Sequence, residues 1–358
     1  MYSVVQSPKP VYMNDDSVRA RSNNRRELSR SSASSTGSVA DVLVESGTSG
    51  ETRKKRKTAL ITGANTGIGF ETAIALLKKE YKIIACCRDL KKMESAKVQM
   101  LERLGNDKED KNGLLIEIES LDLGDLQSIE SCAKKILDST NESIDVIINN
   151  AGVMATPEME TKDGFEYQLG VNHLGHFKLT NMLLPKLIAS NDKDARIVCV
   201  SSEAHRFGKL SKDDLFYKKS GSYNNWKSYG QSKLANVLFA NELQKKLREE
   251  KGIDYVAVNS LHPGAVNTEL GRYLYDMDSK PKWYEEIIFN IIRQTMKTPA
   301  QGAETSVYLA SDINANEFRG KYFDNCEEKI PTKSARNEED AKWLWQRSAE
   351  LTGVDFFA

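Results

Sequence analysis

The chain has 358 residues, enough for one large domain or two small ones, and its 51 Lys and Arg residues balance 51 Asp and Glu residues. A net charge of zero gives no support to a general nucleic-acid-binding role. Five cysteines without a CxxC pair argue against a disulfide framework, and four histidines without an HExxH motif argue against a metal site.

The first 52 residues are rich in Ser, Arg, Asn and Gly and lack hydrophobic periodicity, which predicts a disordered tail. No stretch approaches 18 apolar residues, so no transmembrane segment is expected, and the tail has no secretory core. We therefore expect a cytoplasmic protein. Organellar import stays an alternative, although Asp15, Asp16 and Glu27 are unusual in a transit peptide. The basic run at 53–57 is either a solvated junction, a nuclear import signal or a lipid-facing patch.

Short apolar strands alternate with helices from Thr58 onward. This alternation predicts an α/β fold, a doubly wound Rossmann domain over residues 53–358 with about seven parallel strands. The predicted strands are 58–62, 82–87, 113–119, 144–148, 196–200, 254–259 and 320–323. The predicted helices are 67–80, 90–104, 126–138, 165–189, 226–250 and 338–351. Residues 269–297 interrupt the alternation and are interpreted as a lid over a substrate cleft, with contact to a bilayer surface as the alternative.

A glycine-rich turn follows the first strand and opens the first helix, which is the context of a dinucleotide loop. Glycine lets the backbone approach a pyrophosphate, and the helix N-terminus offers free N–H groups. An ordinary strand–helix turn is the alternative. The predicted cofactor residues of this loop are Gly63, Asn65, Thr66, Gly67, Ile68 and Gly69.

The second strand ends without a carboxylate, and Arg88 comes next. An acidic residue there would hold the ribose of NAD, whereas a guanidinium can bind the 2′-phosphate of NADP. Arg88 therefore favours NADP, and NAD is less favoured. Asp89 either caps the next helix or weakens that preference. Asp122 and Asn149 follow the third and fourth strands, where they are expected to line the adenosine side.

Tyr229 and Lys233 are four residues apart on a predicted helix, so their side chains share one face. The ammonium favours the phenolate and is expected to lower the pKa of Tyr229. Such a pair suits proton transfer that accompanies hydride transfer. Each residue alone has a structural alternative, since a Tyr-x-x-x-Lys pair is common on helix surfaces and Ser201-Ser202 could be a turn.

Taken together, these motifs resemble the short-chain dehydrogenase/reductase family over about residues 57–325. The resemblance is carried by the glycine turn, Asn149-Asn150-Ala151-Gly152, the Ser–Tyr–Lys set and His262-Pro263-Gly264, in that order. Several segments are similar to the retinol dehydrogenase branch of the 11–14 type, including Val171-Asn172-His173-Leu174-Gly175-His176-Phe177. The polar insert Phe207–Trp226 also resembles that branch and is expected to be a surface excursion.

The resemblance implies an alcohol/carbonyl oxidoreductase acting on an apolar, retinoid-like or lipid-like substrate. It implies that Tyr229 is the general acid/base, Lys233 holds the nicotinamide ribose, and Ser202 bonds the substrate oxygen. It further implies that Asn172 supports a water near Lys233 and that Thr268 contacts the nicotinamide carboxamide. A homodimer through helices 165–189 and 226–250 is implied by analogy. A nucleotide-sensing scaffold acting through protein partners is the alternative function, while His173 and His176 are interpreted as packing histidines.

Overall fold

The computed structural model describes residues 56–105, 115–139, 143–190, 192–266, 270 and 296–358, all within one compact unit, Lys54–Ala358. The predicted tail at 1–52, the residue Thr268 and most of the predicted lid at 269–297 lie outside the described residues. Within the described ranges, no helix is long and apolar enough to cross a membrane.

A single sheet of eight strands forms the centre of the described unit, in the order β3-β2-β1-β4-β5-β6-β7-β8. The strands are β1 (Thr58–Thr62), β2 (Lys82–Cys87), β3 (Ile116–Ser120), β4 (Val146–Asn149), β5 (Ala195–Val200), β6 (Val256–His262), β7 (Tyr322–Asp324) and β8 (Glu327–Lys329). Strands β1 to β7 pair in parallel, and β8 pairs antiparallel with β7. The strand order changes direction at β1 and β4, so the loops after these two strands diverge and leave a crevice.

Helices cover both faces of the sheet. They are α1 (Gly67–Lys78), α2 (Leu90–Arg103), α3 (Leu126–Asp138), α4 (Tyr167–Leu169), α5 (Gly175–Ile188), α6 (Asn225–Lys251), α7 (Pro299–Ser311) and α8 (Glu338–Thr352). Consecutive residues of a strand point to opposite faces, so Leu60 joins the core beneath α3, α5 and α6. Ala59 and Ile61 join the core beneath α1, α2 and α7. The doubly wound fold predicted from the sequence is therefore confirmed.

Two elements were absent from the sequence prediction. Helix α7 begins at a capping box in which Thr298 and Gln301 bond each other's backbone, with a proline at the first helical position. Strand β8 follows a tight turn in which Asn325 and Cys326 take positive φ angles of 52° and 60°. Because that turn contains no glycine and β8 is exposed, the sequence carried little sign of the hairpin.

The predicted helix at 165–189 is found as an unbroken helical segment from 167 to 188, but it is not α-helical throughout. It consists of α4, one π-helical turn at Gly170–Leu174, and α5. A π turn shifts side chains out of the α-helical register and is frequent at functional sites. Here the turn contains Asn172, which is fully buried.

Helix α8 packs on α5 and α6, the two helices expected to form a homodimer interface. The ring of Trp345 lies 4.9 Å from that of Phe177 and 5.9 Å from that of Phe239, between centroids. His173 also bonds Ser348, with Nε2 and Oγ 2.8 Å apart. Helix α8 therefore covers part of the surface that such a homodimer would use, and the homodimer stays a prediction.

The polar insert at 207–226 is tied to the body of the protein. Leu210, Leu215 and Tyr217 are buried, and Gln231 of α6 bonds the backbone of Ser211 and Leu215. The insert therefore lies at the surface, as expected, and a few buried side chains anchor it beside helix α6.

Candidate active site

A cleft of about 1190 Å³ lies at the carboxyl edge of the sheet. It is bordered by the segments that follow β1, β2, β3, β4, β5 and β6, together with the first turns of α6. Open α/β sheets bind their ligands at this edge. The cleft therefore has the place and the size of a dinucleotide site.

The glycine-rich loop lines one end of the cleft with all six predicted residues: Gly63, Asn65, Thr66, Gly67, Ile68 and Gly69. Gly63 and Gly67 have φ angles of +68° and +59°, which favour glycine. A Cβ atom on Gly69 would lie 2.3 Å from the carbonyl oxygen of Gly63, so no side chain fits. Helix α1 begins after Thr66 without a side-chain cap, and its N-terminus faces the cleft. This arrangement fits an anionic pyrophosphate group.

Arg88 lines the cleft at the end of β2, as expected, together with Lys92. Asp89 caps helix α2 by accepting a hydrogen bond from the backbone of Lys92, with Oδ1 and N 3.1 Å apart. Asp89 therefore caps the helix, and because it also lines the cleft, its effect on the NADP preference stays a prediction. The Arg88 guanidinium also donates to the hydroxyl group of Tyr167, 3.2 Å away. Two cations border this corner of the cleft.

Asp122 lines the cleft and accepts a hydrogen bond from the backbone of Gly124 at 2.9 Å. Asn149 differs from the sequence prediction, because its side chain points into the core. Its amide donates to the hydroxyl group of Thr180 at 2.9 Å, and only 2% of the residue is exposed. The next residue, Asn150, lines the cleft instead. Alternation of side chains at the end of a strand explains the shift by one residue.

Ser202, Tyr229 and Lys233 come together at the other end of the cleft. Ser202 lies beside Tyr229, and its hydroxyl group acts to lower the pKa of the phenol. The Lys233 ammonium lies 5.7 Å from the centre of the Tyr229 ring and donates to the carbonyl oxygen of Val200 at 3.2 Å. One turn of α6 therefore places the phenol and the ammonium side by side, as their spacing predicted.

The pKa of Tyr229 departs from the sequence prediction. Burial raises it to about 12, although the hydrogen bond from Ser202 acts in the opposite direction. Burial also lowers the pKa of Lys233 to about 8. Both shifts disfavour the charged form, because neither group has an opposite charge in contact in the protein alone. The resting site therefore holds a neutral phenol.

The side chain of Asn172 is fully engaged by the protein. Its Oδ1 accepts from the backbone of Val153 at 2.8 Å, and its Nδ2 donates to the carbonyl oxygen of Val153 and to Oγ of Ser232, each at 2.9 Å. Ser232 in turn donates to the carbonyl oxygen of Tyr229 at 2.8 Å. Asn172 thus joins the β4–α4 loop to the turn of α6 that contains Tyr229.

These observations agree with the comparisons to known proteins. The family described as short chain dehydrogenase matches residues 57–215. Retinol dehydrogenase 13 from Homo sapiens is 42% identical over 299 residues, covering 84% of this chain and 85% of the relative. The chain belongs to the short-chain dehydrogenase/reductase family. Within the family it is in the retinol dehydrogenase branch, as its local segments predicted.

Solved structures share the fold of this short-chain dehydrogenase. An uncharacterized protein from Mycobacterium Paratuberculosis is 32% identical, with a TM-score of 0.63, over 84% of this chain and 94% of that one. A short chain dehydrogenase from Shigella flexneri 2a str. 301, complexed with NADP, has a TM-score of 0.55 at 22% identity, over 76% of this chain and 97% of that one. The second likeness is one of fold alone.

The end of the cleft that contains Ser202, Tyr229 and Lys233 opens onto apolar side chains, which the sequence did not single out. Met154, Phe207 and Trp226 line the cleft there. Phe207 is 57% exposed and Trp226 is 43% exposed, and the Trp226 ring stands edge-on to that of Tyr229 at 6.4 Å. The sequence feature that could have indicated this apolar surface is the insert after Ser202, because it is long and contains both Phe207 and Trp226.

Proposed function

We propose that this protein is an NADP(H)-dependent oxidoreductase that interconverts an alcohol and an aldehyde or ketone, with Tyr229 as the general acid/base. The proposal rests on one observation above all. The neighbouring residues Ser202 and Tyr229, with Lys233 beside them, lie in the same cleft as the uncapped, glycine-lined N-terminus of α1. A nucleotide site and a proton-transfer site within one cleft are what hydride transfer to a carbonyl requires.

The residues present fit a dinucleotide that has a 2′-phosphate. The backbone N–H groups at the start of α1 would bind the pyrophosphate, and Arg88 with Lys92 would bind the 2′-phosphate. The absence of a carboxylate at the end of β2 supports NADP over NAD. The NADP complex of the Shigella flexneri protein supports the same choice. Bound nicotinamide would supply or accept the hydride.

The protein's own part is to bind the oxygen and to move the proton. In the reducing direction, Tyr229 is already a neutral phenol and can donate its proton to the carbonyl oxygen. The hydroxyl group of Ser202 lies beside Tyr229. It can donate a hydrogen bond to the same substrate oxygen as negative charge develops on that oxygen. In the oxidising direction, Tyr229 must first lose its proton, and the nearby Lys233 ammonium reduces the cost of the phenolate.

The substrate class follows from the apolar end of the cleft. Met154, Phe207 and Trp226 offer hydrophobic and aromatic surface beside Tyr229, which suits a retinoid-like or lipid-like aldehyde rather than a small polar ketone. The name of the human relative supports this class. A cytoplasmic location stays a prediction from the sequence.

The test is oxidation of NADPH by the purified protein against all-trans-retinal, medium-chain aldehydes and small ketones, with NADH in parallel. We expect turnover with NADPH on the apolar aldehydes and its loss in Tyr229→Phe. Turnover that survives Tyr229→Phe would contradict the mechanism, and turnover of small polar ketones alone would contradict the substrate class. Tight NADPH binding without turnover of any compound would favour the nucleotide-sensing scaffold.

A further inference from the structure

His176 lies on α5, outside the site residues described so far, and is 2% exposed. Its Nδ1 is 2.9 Å from the carbonyl oxygen of Asn172, and its Nε2 is 2.8 Å from the hydroxyl oxygen of Thr62. Thr62 is the last residue of β1 and precedes the glycine-rich loop. One imidazole ring therefore joins the π turn that contains Asn172 to the strand that leads into the nucleotide loop.

The hydrogen positions in this contact follow from its partners. A carbonyl oxygen can only accept, so Nδ1 of His176 must bear the hydrogen and donate to Asn172. In the neutral ring Nε2 is then the acceptor, and the Thr62 hydroxyl group donates to it. The Thr62 oxygen in turn accepts from the backbone N–H groups of Asn150 and Ala151, each at 2.9 Å. Every polar atom of the ring and of the hydroxyl group has a defined role.

The neutral ring is the form that this arrangement selects. A protonated imidazole would direct a second N–H at the Thr62 hydroxyl group, which already accepts two hydrogen bonds. Burial lowers the pKa of His176 to about 4, and the Lys233 ammonium acts in the same direction. His176 therefore keeps one tautomer across the neutral pH range.

The chain of contacts continues to the catalytic tyrosine. Asn172 donates to Ser232, and Ser232 donates to the carbonyl oxygen of Tyr229. We propose that His176 is a positioning residue that fixes the nucleotide loop and the catalytic turn of α6 relative to each other. We call the contacts of Thr62, His176 and Asn172 the His176 bridge. Its expected effect is on alignment, since a displacement of about 1 Å at a reacting centre can cost about 100-fold in rate.

The chain offers a matched control on the same helical segment. His173 is 1% exposed and also makes a hydrogen bond at 2.8 Å, but its partner is Ser348 of α8. Both histidines are buried and hydrogen-bonded, and of the two only His176 contacts Thr62, the residue that precedes the nucleotide loop. Replacement of either one removes a similar amount of packing, so a difference between them reports the His176 bridge rather than burial.

Two substitutions separate the two ends of the ring. An asparagine amide reaches the position of Nδ1, and a glutamine amide reaches that of Nε2. We expect His176→Asn to retain more of the wild-type kcat, because it can still donate to Asn172. We expect His176→Gln to retain more of the NADPH affinity, because it can still contact Thr62. His173→Gln should lower stability and leave kcat, KM and the NADPH dissociation constant within about twofold of wild type.

The coupling itself is measured without a substrate. Thr62→Val, His176→Asn and the double variant are compared by urea unfolding of the protein and by NADPH fluorescence titration, because asparagine is too short to keep the contact with Thr62. If the His176 bridge exists, the fold-loss of NADPH affinity in the double variant is smaller than the product of the two single fold-losses. Its loss of unfolding free energy is likewise smaller than the sum of the two single losses. Strictly multiplicative losses, or equal effects of His173→Gln and His176→Asn on NADPH binding, would overturn the proposal. The inference rests on the proposed function only for the expected change in kcat. If the protein binds NADPH but reduces no carbonyl, NADPH titration and urea unfolding still test the His176 bridge.

Discussion

Ser202, which follows β5, and Tyr229, on α6, line the same cleft side by side, and the serine hydroxyl group acts to lower the pKa of the phenol. The two residues are separated by the insert that contains Phe207 and Trp226, both of which line the same cleft. The insert thus adds apolar surface beside the phenol without parting it from the serine. The reaction site and the proposed substrate surface belong to one continuous segment of the chain.

Replacing Tyr229 by phenylalanine should abolish turnover and spare NADPH binding. The substitution removes the proton donor, and general acid/base groups contribute about 10²- to 10⁴-fold to rate. The measurement is kcat for carbonyl reduction together with the NADPH dissociation constant. Tyr255→Phe is the control, because the Tyr255 hydroxyl group bonds the carbonyl oxygen of Ile188 at 2.9 Å and does not line the cleft. A loss of less than tenfold in Tyr229→Phe would contradict the assignment.

The two adjacent serines should respond differently to alanine. Ser202 faces the cleft beside Tyr229, so Ser202→Ala should lower kcat by about 10²-fold or more, as the loss of a transition-state donor does. Ser201 is buried and donates to the carbonyl oxygen of Lys233 at 2.7 Å. Ser201→Ala should instead lower the free energy of unfolding by about 1 kcal/mol. Steady-state kinetics and urea unfolding of both variants test this, and the reverse pattern would exchange their roles.

The sequence predicted the fold well because most elements have a strong local signal. Strand β1 was predicted at its observed bounds, and six further strands were found near their predicted places. The π turn at Gly170–Leu174 was not predicted, since a single turn of this kind leaves the helical hydrophobic pattern nearly unchanged. Strand β8 is exposed and three residues long, so it offers no pattern to detect.

The site was predicted in its residue types and less well in its contacts. The sequence placed Tyr229 and Lys233 on one helical face, but burial, which decides their pKa values, is a tertiary property. Asn149 was predicted to line the cofactor site, whereas in the structure Asn150 lines the cleft. The two hydrogen-bond partners of His176 lie 114 residues and four residues before it in the chain, and no local pattern indicated that one ring would contact both.

Cofactor preference should depend on Arg88. Arg88→Ala should weaken NADPH binding about tenfold or more, because charge-assisted hydrogen bonds to the 2′-phosphate contribute about 1.5–3 kcal/mol. NADH binding should change little, since NADH has no such phosphate. Fluorescence titration with both cofactors measures the ratio, and Lys91→Ala is the control, an exposed cation on α2 that does not line the cleft. Equal losses for the two cofactors would contradict a phosphate contact.

His173 should make the protein less stable in acid. Burial lowers its pKa to about 3, so between pH 6.5 and pH 3 the unfolded chain binds a proton that the folded chain does not. Stability from this residue is therefore intact above pH 6.5 and falls as pH decreases, by about 2 kcal/mol at pH 5. Urea unfolding of wild type and His173→Gln at pH 7 and pH 5 gives the difference. A variant as acid-sensitive as wild type would show that His173 does not contribute.

Lys233 should give the reducing reaction an alkaline limb near pH 8. Burial lowers the pKa of this ammonium to about 8, so the charged form predominates below that pH and is lost above it. The Tyr229 phenol keeps its proton until about pH 12 and cannot account for a limb at pH 8. The quantity to measure is kcat/KM for NADPH from pH 6 to pH 10, because this ratio reports groups of the free enzyme.

The assignment of that limb to Lys233 is tested by a change that keeps the charge. Lys233→Arg introduces a guanidinium that does not titrate in this range, so the variant should be slower overall and show no limb near pH 8. Lys227→Arg changes an exposed lysine near the start of the same helix, and it should retain both the rate and the limb. A limb that persists in Lys233→Arg would assign it to another group, and a wild-type profile flat to pH 10 would show that cofactor or substrate keeps the ammonium charged. Because kcat/KM for NADPH reports the free enzyme, a flat profile would also contradict a pKa near 8 for Lys233 in the protein without cofactor. In either case the neutral-phenol resting state would still follow from the burial of Tyr229.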